Sequence, residues 1–302
     1  MKTISKLASG LALVAISSAA MAAGTGIAST KHNLGAGGIA LGNSGNKTDG
    51  TTEICVFCHT PHGANQSASA PLWNRQFSTA GYTRYSSLGT TTFDAAEAPV
   101  GSVSIACLSC HDGTQAMDAM INSPGSNSMS SGANLSRITD GSGSGIGGWV
   151  ETSVMSTLAA SDNGFAGDMI YLGTDLRNDH PISMQYGGGG FSATTPNGPS
   201  VDSSYAIAGA TGSVGNNSSL GGTGRVANRT LGSGALVWYV DTNGTAGQQT
   251  DDFTLFSRSD LGSNQPFVEC ATCHDPHSTN STFLRLAGGN TGSQVCLTCH
   301  TK

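Results

Sequence analysis

The sequence predicts a mostly irregular, coil-rich chain with few short helices and strands, organised around something other than its own side chains. Three observations predict this. Glycine accounts for 43 of the 302 residues, and serine, threonine and asparagine are also abundant. Charged residues are only 11% of the chain, too few for a solvated disordered protein, while large apolar groups are too sparse for an ordinary core. All eight cysteines fall in four short stretches of one design: CVFCH (Cys55 to His59), CLSCH (Cys107 to His111), CATCH (Cys270 to His274) and CLTCH (Cys296 to His300).

C-x-x-C-H is the attachment signature of c-type haem. Two thiols separated by two residues can add to the two vinyl groups on one porphyrin edge. The next residue then lies beneath the iron, where imidazole is the expected proximal ligand. Paired C-x-x-C units also make tetrahedral zinc sites, but zinc does not need a histidine directly after each pair. A thioredoxin-like dithiol needs a βαβ context that is not visible, and disulfides would leave the trailing histidine unexplained. The expectation is four covalent haems, bonded through Cys55 and Cys58, Cys107 and Cys110, Cys270 and Cys273, and Cys296 and Cys299. Their proximal ligands are His59, His111, His274 and His300. Four large flat plates would serve as the core that the side chains cannot supply, so the coil is expected to wrap a chain of four haems.

Taken in order, residues 1–22 read as a signal peptide. Lys2 and Lys6 form a basic start, Leu7 to Ala20 a short apolar run, and Ala20-Met21-Ala22 a cleavage site. The run is too short to span a bilayer, and no other stretch is apolar enough to cross one. No cysteine stands near the cleavage site to carry a lipid. Residues 23–302 are expected to form a single domain, secreted. Removing Lys2 and Lys6 takes the formal charge from −6 to −8, which argues against nucleic acid as a partner.

The second haem stretch leads into Thr114 to Ile121, where Met117, Met120 and Ile121 recur at helical spacing and predict a short helix. From about residue 122 to 266 runs a cysteine-free insertion rich in glycine, serine, threonine and asparagine. Within it Ala235 to Val240 predicts a strand ending at a turn, and Phe253 to Phe256 a second. In Asn178-Asp179-His180-Pro181, the proline biases His180 to extended backbone, from which a ring projects rigidly. The last two haem stretches lie close together, Cys296 being 26 positions after Cys270.

Eight histidines less four proximal ones leave His32, His62, His180 and His277, one for each iron. That arithmetic predicts bis-histidine ligation throughout, with these four as distal ligands. His62 and His277 stand three residues after a proximal histidine, in CHTPH and CHDPH. Three residues span at most about 10 Å, too short to reach round the macrocycle, so each is expected to ligate a neighbouring haem. Met117, Met120 and Met184 are read as gap-filling side chains rather than axial ligands.

The residues so far quoted carry a resemblance. CATCHDPH, the Phe283-Leu284-Arg285 that follows, and VCLTCHTK resemble the doubled C-x-x-C-H motif of bacterial multihaem cytochromes. Lys31-His32-Asn33-Leu34, CVFCHTPHGA, Ala70 to Arg75 and NDHPIS are similar to segments of OmcE-like tetrahaem cytochromes of metal-reducing bacteria, which polymerise into extracellular filaments. The likeness covers about half the chain. It implies bis-histidine iron throughout and one distal histidine donated by the adjacent protomer of a head-to-tail homopolymer. His32, in a glycine-rich segment near the mature N-terminus, is the expected donor. Electron transfer to redox partner proteins or extracellular acceptors follows, without enzymatic turnover, since filled axial positions leave iron no place for substrate. The alternatives are a soluble periplasmic tetrahaem shuttle and a haem reductase with one open iron.

Overall fold

The computed structural model describes residues 26–35, 51–67, 69–77, 79–90, 93, 97–115, 120–122, 172–186, 225–230, 236–242 and 247–300. The predicted signal peptide, Met117 and much of the 122–266 segment lie outside them. Coil dominates, as the composition predicts, and the helices are short. They are α1 (Ser102–His111), α2 (Cys270–Cys273) and α3 (Gln294–Cys299), and each ends on or beside a haem stretch. The first stretch instead forms a 3-10 turn, Cys55–Phe57. Among the described residues no helix is long and apolar enough to cross a membrane.

Of the helix expected over Thr114 to Ile121, residues 116–119 lie outside the described residues; residues 112–115 are turn and bend, and Met120 makes an isolated antiparallel bridge to Arg75. The described helix nearest to it is α1. Its cap amide, from Asp112, bonds the Leu108 carbonyl, and Gly113 at φ +70° ends it in a conformation that suits glycine.

A five-stranded antiparallel sheet is the larger departure from expectation. Its strands are β1 (Met184–Gln185), β2 (Arg225–Thr230), β3 (Leu236–Asp241), β4 (Phe253–Arg258) and β5 (Ser263–Val268), in the order β1-β5-β4-β3-β2. The two strands expected from sequence are β3 and β4; the other three are additional. Trp238 stands opposite Leu255, and Val240 opposite Phe253, so one face of the β3–β4 pair is continuously apolar. With Met184, Tyr186 and Val268 these residues make a buried core. Trp238, Val240 and Phe253 are fully buried, and each such side chain contributes roughly 1.5–3 kcal/mol. The composition led to a core of cofactors alone. A side-chain core exists, and the long cysteine-free segment builds most of it.

The core also touches the haem stretches. Cys273, Leu286, Val295 and Cys299 pack against it from the C-terminal segment, and the Tyr186 hydroxyl donates to the Cys299 carbonyl at 3.3 Å. Pro266 sits in β5 beyond the end of β1, which pairs only with Phe267 and Val268, so its missing N–H is not needed there. The β4–β5 register shifts beside it, between Ser257 and Arg258.

Candidate haem sites

The first and third stretches are built on the same plan. After CVFCH, the chain returns at Pro71-Leu72-Trp73-Asn74 and clamps the histidine. The Thr60 amide donates to the Leu72 carbonyl at 2.9 Å, the Asn74 amide to the Cys58 carbonyl at 2.8 Å, and Trp73 bridges His59. After CATCH, Thr282-Phe283-Leu284-Arg285 does the same. Asp275 donates to the Phe283 carbonyl at 2.8 Å, Arg285 to the Cys273 carbonyl at 3.0 Å, and Leu284 bridges His274. The match extends to backbone and side chains. Leu72 (φ 54°) and Phe283 (φ 59°) both take the left-handed conformation. Asn74 Nδ2 donates to the Val56 carbonyl at 2.6 Å, and the Arg285 guanidinium donates to the Ala271 carbonyl at 3.0 and 3.1 Å. Val56 and Ala271 are the same position of the two stretches.

This clamp orients each imidazole. His59 Nδ1 lies 2.7 Å from the Pro71 carbonyl oxygen, and His274 Nδ1 lies 2.8 Å from that of Thr282. A carbonyl only accepts, so Nδ1 carries the proton and Nε2 keeps its lone pair. That is the tautomer a metal needs, fixed by a second partner. His180 is held in the same way by the Pro181 carbonyl at 2.9 Å, and His32 more loosely by that of Pro276 at 3.4 Å.

Two spare histidines meet two proximal ones. The His59 and His277 rings face each other with centroids 6.2 Å apart and planes within 13°. His32 and His111 have centroids 6.3 Å apart, with planes at 67°. Two imidazole nitrogens each about 2 Å from one shared metal put the ring centroids about 6 Å apart, so both pairs fit an iron between them. His32 is held neutral, its pKa lowered to about 4 by burial and then by the neighbouring His111. Asp275 accepts from His277 Nδ1 at 3.3 Å, raising that imidazole's pKa and its electron-donating strength. The resemblance made His32 the expected donor to an adjacent protomer; within this chain its ring stands near that of His111 and stacks on Phe283 at 4.2 Å. His62 and His180 are exposed, and among the described residues no ring lies against either. Met184 is buried in the sheet core and Met120 lies beside Arg75.

The thiols fit thioether formation. None of the eight cysteines is in a disulfide, and among the described residues no group of three or more His, Cys, Asp or Glu side chains is placed to hold a metal ion together. Burial pushes Cys58 up to about 12 and Cys273 to about 11, and lifts Cys299 further. Such thiols resist becoming the thiolates that zinc requires, whereas a thioether bears no charge and suits burial. The Cys107 and Cys270 thiols lie within hydrogen-bonding reach of one another, which with burial holds Cys107 protonated.

Sequence reasoning found the thiols and imidazoles but not the groups that fix them. Pro71, Thr282, Asn74 and Arg285 are separated from their histidines by different distances, so the repeat is invisible to a fixed-period search. Its signal is the shared C-x-x-C-H-x-P-H followed by an apolar pair.

Residues 265–302 match the family model of the doubled CXXCH motif, and no curated protein matches the chain. The matched segment holds α2, its clamp and α3, bearing the third and fourth stretches. The motif indicates covalently bound c-type haem, and with it a multihaem c-type cytochrome that transfers electrons.

Proposed function

We propose that this chain is a secreted tetrahaem cytochrome whose irons are all bis-histidine ligated, and that it polymerises head to tail into an extracellular filament conducting electrons to outside acceptors. The observation that carries the reading is the facing of His59 by His277 and of His111 by His32, at 6.2 and 6.3 Å. The His59–His277 pair, drawn from opposite ends of the sequence, ties the first stretch to the third, and paired imidazoles lower the potential of c-type haem relative to Met/His ligation. Bound haem supplies one-electron chemistry. The chain's own cysteines would attach it, backbone carbonyls orient the imidazoles, and paired histidines would hold its iron.

Polymerisation rests on what is left over. With His32 and His277 engaged within the chain, the donor to an adjacent protomer is one of the exposed pair, His62 or His180. Mass spectrometry of the denatured chain should count four covalent haems, and electron paramagnetic resonance should show low-spin iron alone. Electron micrographs should show filaments that persist in H32A and shorten in H62A or H180A. Monodisperse monomers at native concentration would favour a periplasmic shuttle, and a high-spin signal a reductase with one open iron.

A further inference from the structure

We propose that Glu269 is a positioning residue for electron transfer between the haems of the second and third attachment stretches, locking together through Ser104 the two helices that bear them. The proposal rests on the cytochrome reading above and concerns one junction within it.

Glu269 immediately precedes Cys270, and its side chain is wholly buried. It caps α2 by a reciprocal box with Thr272, whose hydroxyl accepts the Glu269 amide at 2.9 Å. A cap needs one acceptor, and the rest of the carboxylate is spent elsewhere. Ser104 of α1 donates to Oε2 at 2.5 Å, and Ser183, just ahead of β1, donates to the same oxygen at 3.0 Å. The Arg258 guanidinium of β4 holds Oε1 at 3.4 Å. The same guanidinium donates to the Pro99 carbonyl at 2.9 Å, just before α1, and Gly101 packs so closely on it that a Cβ there would collide. Ser104 also accepts the Cys270 amide at 2.9 Å. One hydroxyl therefore joins α1 to both the cap and the first residue of α2.

Ser104 is three residues before Cys107, on the same helix face. The link it makes thus lies one turn from Cys107 and directly at the Cys270 amide. In the loaded protein these two cysteines would attach neighbouring haems, so the Ser104 link would set how near the two attachment points stand. The step served is the passage of one electron from ferrous iron of one haem to ferric iron of the other; no bond is made or broken. A helix cap alone would need neither Ser104, Ser183 nor Arg258, and a buried ion pair alone would not need a hydroxyl from the other haem helix.

The test uses the haem-loaded full chain. The Soret circular dichroism couplet reports close haem pairs, and a C107A/C110A chain, lacking the second attachment, defines the part this pair contributes. S104A severs the link while leaving the α2 cap in place; it should load four haems, keep low-spin iron and lose that part of the couplet, with stepwise reduction potentials shifted for two haems only. E269A should do the same. E269Q, which keeps an acceptor for Ser104 and the cap, should retain the couplet. An unchanged couplet and unchanged potentials in fully loaded S104A overturn the proposal, even if E269A does not fold. A wild-type chain with fewer than four haems overturns instead the cytochrome reading beneath it.

Discussion

The same carboxylate gives the structure its clearest pH dependence. Burial raises the Glu269 pKa from an ordinary 4.5 to about 7, against the opposing pull of Ser104, Arg258 and Ser183. Asp260, held close by Arg258 at 2.8 and 2.9 Å, works in the same direction as burial, because its negative charge disfavours a second carboxylate nearby. The folded chain therefore holds a proton that the unfolded chain releases. Stability from this group is full below about pH 4.5 and is lost as pH rises through about 7. The interval corresponds to about 3 kcal/mol at most. Denaturant midpoints followed by far-ultraviolet circular dichroism from pH 4 to 8 would read it as the difference between wild type and E269Q. Haem propionates and all other titrating groups are common to both and cancel. The two chains should be nearly equal at pH 4, and by pH 8 the glutamine variant should be the more stable by about 3 kcal/mol. Parallel curves across that range would refute the argument that desolvation outweighs the ion pair. A wild type gaining stability with pH would show that Arg258 wins instead.

Three further outcomes follow from the geometry. His277→Met should raise the potential of one haem only, the one attached at Cys55 and Cys58, because methionine opposite His59 stabilises ferrous iron; redox titration followed at the Soret band checks it. Trp238→Ala, at a fully buried position between β3 and β4, should cost about 3–5 kcal/mol by denaturant unfolding while leaving the haem count unchanged. Asn74→Ala removes donors to the Val56 and Asn122 carbonyls and should cost about 1–3 kcal/mol, visible as a lower melting temperature.

The attachment chemistry was legible in sequence because it is local. Five consecutive residues contain both thiols and the proximal imidazole, and nothing distant is needed to recognise them. Distal pairing was legible only as a count. Which spare histidine meets which proximal one is decided by packing: Gly26 lies so close to the His277 carbonyl that a Cβ would collide, which seats the 26–35 segment, and hence His32, over the third stretch. A glycine-rich run looks like free reach in sequence, and here it marks close approach. The sheet was half legible. β3 and β4 carry alternation and aromatic residues, whereas β2 (RVANRT) and β5 (SNQPFV) carry little apolar pattern and are strands because of their partners.

The composition argument failed for a related reason. Averaged over the chain, apolar side chains are too few for a core, but they are not evenly spread. Trp238, Val240, Phe253 and Leu255 are concentrated on one face of two adjacent strands, and Cys273, Leu286, Val295 and Cys299 close over that face. Two of those four are the second cysteines of the third and fourth stretches. β5 then runs without a loop into Glu269 and α2. The sheet is thus the floor on which the doubled motif is laid, and its rigidity passes to the third and fourth attachment points. The second stretch is tied to that floor through the Ser104 hydrogen bonds to Glu269 and Cys270, and the first through the His59–His277 facing. Side chains hold one end of the array and ligand pairs the other. A chain this rich in glycine can therefore fix its four attachment stretches without an extensive core.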